Sequence, residues 1–151
     1  MSTPTIDPHY EELAQLINAL KFQEAEVLIQ NNLDDDHIVH TLHTMAEDKT
    51  DILSYTFVNY MIGKQETSFW HRIAAVLLSE SLTQFKHSLK AAAYHMKKAI
   101  QLNPYDWTLK EYAMMLHAHS AISNEEAKGY AEIVLRHDPK NIEAMKLLNK
   151  E

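Results

Sequence analysis

With 151 residues, 46% of them hydrophobic, the chain is long enough for one globular domain with a sizeable core, and two Gly and four Pro are too few for a disordered or turn-rich all-β protein. The absence of Cys excludes a disulfide framework, a thiol nucleophile and a thiolate metal site. A formal net charge of -7, with Lys and Arg scattered along the chain, argues against nucleic acid as a partner and suits a neutral or basic ligand better.

An almost wholly α-helical protein follows. The first residues lack both the basic start and the apolar run of a secretion signal, and no apolar stretch reaches membrane-spanning length, so a cytoplasmic protein without a membrane partner is expected. Protonating all ten His would carry the formal charge from -7 to +3, as a pH sensor or as exposed side chains that simply titrate.

Asp7-Pro8 opens the first predicted helix, a capping carboxylate before a ring already fixed at helical φ, and Leu13, Leu16, Ile17 and Leu20 keep helical spacing. After a tight turn from Leu20 to Ala25, a second helix runs from about Gln23 to Gln30, and such short connections make antiparallel neighbours. Asp34, Asp35 and Asp36 precede a third, about His37 to Glu47, where their charge suits the positive end of the helix dipole. Thr50 or Asp51 caps a fourth, Ile52 to Ile62, apolar nearly all round and therefore expected to be buried between neighbours.

The strongest apolar run, about Ser68 to Gln84, predicts a long central fifth helix. The sixth spans Ser88 to Leu102 with Ala92, Met96, Ala99 and Ile100 on one stripe. Asp106 caps a seventh, Trp107 to His119; Ser123 and Glu126 form a capping box for the eighth; Asn141 caps a short ninth.

A 35-residue interval organises the second half. Asn103-Pro104-Tyr105-Asp106 returns as Asp138-Pro139-Lys140-Asn141, and Ala92 returns as Ala127. Self-similarity at that period is the mark of stacked helix pairs. Ala92, Met96, Ala99 and Pro104, then Ala127, Ala131, Val134 and Pro139, together with Phe22-Gln23-Glu24-Ala25, resemble the tetratricopeptide repeats. Trp70, Ile73, Ala74 and Leu77 match that family's first-helix signature but lie five residues too early relative to Ala92, which calls for a longer helix or loop. From His37 to Lys64 no repeat signature occurs.

The resemblance implies an all-α fold of about nine helices, antiparallel pairs stacked as a right-handed superhelix. One domain is expected, divided as 6–35, a diverged pair at 36–64, pairs at 66–104 and 106–138, and a closing helix at 141–151. It also implies a concave groove lined by the first helix of each pair. Carried onto this chain, the groove positions are Tyr10, Ala14, His71, Ala75, Glu111, Met115 and Lys146. Tyr10 and Ala14 do not supply the Lys, Asn and Arg clamp with which some relatives hold a peptide carboxylate.

His37, His40 and His43 behind three Asp form the best metal candidate, although ligands six apart on a helix are rotated away from each other, and a solvated face is the plainer reading. Two Gly allow no phosphate-binding loop, Glu11-Glu12 and Glu125-Glu126 sit in first turns, and Ser79 and Ser81 near His87 match no motif. No catalytic constellation or cofactor is predicted. The expected function is a non-enzymatic module that binds a protein or peptide segment in its groove, as an adaptor, scaffold or regulator. A metal- or small-ligand sensor using His37 and His40 and a self-assembling structural protein are the alternatives. Tyr105 and Trp107 beside the Pro104 loop, as an exposed aromatic pair, and the adjacent Met114 and Met115 are further candidate contact residues, with packing of Trp107 against the neighbouring pair and core filling by Met as the plainer readings.

Overall fold

The computed structural model describes residues 8–48, 51–119 and 121–149, the side chains of 8–10 and 119 excepted. Among the described residues the protein is all-α, with nine α-helices and no strand: α1 (Pro8–Asn18), α2 (Phe22–Asn32), α3 (Asp35–Ala46), α4 (Leu53–Lys64), α5 (Ser68–Val76), α6 (Ser88–Leu102), α7 (Trp107–Leu116), α8 (Asn124–His137) and α9 (Ile142–Leu147). None is long and apolar enough to cross a membrane. From α3 onward successive helices pack on one another, while α1 packs on α2, α3 and α4, and α2 on α1 and α4.

Short polar side chains start the helices where the sequence places them. Asp106, Ser123 and Asn141 accept from the backbone N–H of Thr108, Glu126 and Ala144. Asp34 accepts from His37, so α3 begins two residues earlier than expected. The Asp7 and Thr50 caps lie outside the described residues; Asp51 accepts from Leu53 N at 2.8 Å. In the turn after α1, Lys21 N bonds to Leu16 O at 2.8 Å and Leu20 N to Ile17 O at 2.9 Å, with Leu20 in the left-handed region at φ 60. That pattern closes a helix and usually carries Gly.

The predicted fifth helix divides. After Val76 the hydrogen-bond step widens to a π-turn, Leu77–Ser81, with Leu82 N on Leu77 O at 2.9 Å, and two tight turns lead to His87. The wider turn buries Leu77 and Leu82 in one core and Leu78 in another.

The first core gathers α1 to α5 around Leu13, Ile17, Leu42, Phe57 and Trp70, with Phe57 edge-on to both Phe22 and Trp70. The second joins α5 to α8 through a seam of small residues, Ala75, Ala92, Ala93, Ala99, Ala113 and Ala127. A third, smaller cluster seats α9 on α7 and α8. Because Trp70, Ile73 and Ala74 serve the first core and Ala75 the second, α5 is the wall common to both. The predicted burial of α4 on all sides is corrected: Phe57, Val58 and Met61 are buried, while Thr56, Asn59, Gly63 and Lys64 face solvent.

Candidate functional site

Helices α3, α5 and α7 and the π-turn enclose an open cleft of about 510 Å³. Its floor is apolar, from Val39, Phe69, Ile73 and Val76. Its rim is polar. Since Asp34 occupies the cap, Asp35 and Asp36 in the first turn of α3 keep their carboxylates available, where the helix dipole favours their charge. Across from them stand Arg72 of α5 and Glu80 of the π-turn. No ion pair of Arg72 occurs among the described residues.

Tyr112 of α7 closes the far side. Its hydroxyl donates to Glu80 Oε1 at 2.9 Å and accepts from Ser79 Oγ at 2.7 Å. Burial, with the Glu80 carboxylate beside it, pushes the phenol up to about 12, so it stays a hydrogen-bond donor at physiological pH. His43 completes the lining, and burial lowers its basicity against the opposing pull of Glu80. At neutral pH the rim therefore carries three carboxylates and one guanidinium.

The sequence-predicted groove residues fall elsewhere. His71 and Ala75 are both buried, on the side of α5 turned from the cleft, while Phe69, Arg72, Ile73 and Val76 line it. The physical reason is the alanine seam, which claims Ala75 for the second core. Ala14 is half-buried, and the Tyr10 side chain lies outside the described residues. Glu111 accepts a hydrogen bond from Asn141 Nδ2 at 2.7 Å, Met115 is exposed, and Lys146 is exposed beside Glu143 at 3.4 Å. Of these seven positions, none with a described side chain lines the cleft.

His37 Nδ1 lies 2.8 Å from Asp34 Oδ1, whereas His43 lines the cleft. Among the described residues no group of three or more His, Asp or Glu is placed to hold a metal ion. Tyr105 stands out into solvent at 92% exposure, but Trp107 is half-buried and stacks on His137, with ring centroids 5.5 Å apart and planes within 2°.

On the other side of α5 lies a cluster that sequence reasoning missed. His71 Nδ1 and His95 Nδ1 are 2.9 Å apart, both rings buried. His71 Nε2 reaches Glu66 Oε1 at 2.9 Å, and His95 Nε2 meets the Tyr55 hydroxyl at 3.0 Å. Burial, reinforced by the neighbouring His71, lowers His95 to about 4. One signal was present in the sequence: His95 stands beside Met96 on the buried Ala92–Ala99 stripe of α6. Its partners, on α4, α5 and the segment between them, could not be read from spacing.

Comparison with protein-family models, curated proteins and solved structures returned no match.

Proposed function

We propose that the protein is a non-enzymatic interaction module and that the cleft between α3, α5, the π-turn and α7 receives a short protein segment carrying a Lys or Arg beside an apolar side chain. One observation carries the reading: an apolar floor under a rim on which Asp35, Asp36 and Glu80 outnumber Arg72. An apolar floor supplies contact area and excludes water, while the unbalanced rim selects a cationic occupant and steers its approach. Arg72, with no ion pair among the described residues, provides a point for a backbone carbonyl or a partner carboxylate. The cleft draws on α3, α5 and α7, the first helices of successive pairs in the tetratricopeptide-like reading.

Selection from a library of displayed peptides tests it, with the intact protein run beside the Asp35→Asn/Asp36→Asn/Glu80→Gln variant. Peptides rich in Lys or Arg next to aliphatic or aromatic residues should be enriched. Their binding should weaken at least tenfold in the variant and fall with rising salt. Enrichment of acidic peptides, or of none, would exclude this reading.

A further inference from the structure

The chain Glu66, His71, His95 and Tyr55 ties α4 and the segment before α5 to α5 and α6, and it takes no part in the cleft. Its hydrogen bonds admit one direction when both imidazoles are neutral. Ionised Glu66 must accept, so His71 donates from Nε2, which leaves His71 Nδ1 an acceptor. His95 then donates from Nδ1, and its bare Nε2 accepts from the Tyr55 hydroxyl. All three bonds are made, with every donor pointing towards Glu66.

One added proton is accommodated by reversal. His71 then carries N–H on both nitrogens, donating to Glu66 and to His95 Nδ1, while His95 turns to its Nε2–H tautomer and donates to the Tyr55 oxygen. A second proton has no such place. It would set two N–H groups against each other across 2.9 Å and put two charges in a buried joint.

We propose that this chain is an acid-sensitive latch: it takes up one proton with every bond kept and a second only by parting His71 from His95, so that acidification loosens α6 from α5. Other groups do not change this count. Of the elements packed on α6, α4 offers Tyr55, and α5 with its preceding segment offers His71 and Glu66. Arg72 of α5 and Glu80 of the π-turn face the cleft, whereas on α7 Lys110 donates to Pro104 O, Glu111 is engaged by Asn141 and Tyr112 by Ser79 and Glu80.

Nitrogen-15 NMR of the imidazoles in the intact protein tests the latch without a variant. At pH 7 His71 should show the Nε2–H tautomer and His95 the Nδ1–H tautomer; two rings in the same tautomer would overturn the proposal. Amide hydrogen exchange between pH 7 and 4.5 should lose protection in α6 before α1 to α4, and simultaneous loss in both would also overturn it. In the His71→Leu/His95→Leu variant the acid-induced fall in melting temperature should shrink by roughly 5–8 °C. An unchanged fall in a folded variant would place the acid response elsewhere.

Discussion

The two halves of the molecule solve the same packing problem with different materials. The first core is built of large side chains, Phe57 and Trp70 among Leu and Ile, and the helices around it follow no common spacing. The second is an alanine seam, in which Ala92, Ala99, Ala113 and Ala127 let backbones approach closely. Its connections repeat as well: Asp106 N bonds to Asn103 O at 3.3 Å and Asn141 N to Asp138 O at 3.1 Å, in the two loops that the sequence repeats. A core of large residues fails when volume is removed; a seam of small ones fails when volume is added.

The largest effect should therefore come from truncation in the first half. Phe57 is fully buried and edge-on to Phe22 and Trp70, so Phe57→Ala removes a ring from the point where three helices meet. We expect a loss of about 3–5 kcal/mol in urea unfolding. A loss below about 1 kcal/mol would mean that the first core is less tightly organised than its packing indicates.

The joint between the halves should respond to pH. His95 titrates at about 4 in the folded protein against 6.5 for an unperturbed side chain, chiefly through burial. Below pH 6.5 the unfolded chain binds a proton that the folded one refuses, so stability rises with pH. The contribution is complete above about pH 7 and is lost as pH falls towards 4, on the order of 3 kcal/mol in all. Burial shifts His43 in the same direction. Urea unfolding at pH 7.5 and at pH 4 measures the sum, and equal stability at the two would contradict it.

Overpacking should break the second half. Ala127 of α8 is fully buried in the seam, and Ala127→Leu must push α8 from α6 and α7 at a cost of about 1–3 kcal/mol. Thermal melting reads this directly, and a neutral result would show that the seam has slack.

This contrast also explains what was legible in the sequence. The starts of the nine helices could be drawn to within two residues from caps and periodicity, because caps such as Asp106, Ser123 and Asn141 act on the backbone beside them. The π-turn could not, since Leu77, Leu78 and Leu82 fit an α-helical stripe and only the division of the core into two turns them apart. Of the candidate site, the helices α5 and α7 were foreseen but not the residues. Fixing the register of α5 needs the partners of Ala75 and His71, which lie on α6 and were invisible to local spacing. Arg72 and Tyr112, one position round from the expected His71 and Glu111, line the cleft instead.

The smallest expected effect separates the halves by their buried polar groups. In the second half, Lys110 Nζ donates to Pro104 O and Ser88 Oγ to Thr83 O, so burial leaves neither without a partner. In the first, Ser54 Oγ of α4 is fully buried with no hydrogen-bond partner, the only such side-chain atom among the described residues. Ser54→Ala removes an unsatisfied hydroxyl whose burial costs about 1–3 kcal/mol and leaves a gap of one oxygen atom. Alanine is also the better helix former. The net change should be a gain of about 1 kcal/mol, read as a rise in melting temperature of roughly 2–4 °C. A loss instead would mean that the hydroxyl is satisfied in solution, by a water held against α4, and that the first core is wetter than the second.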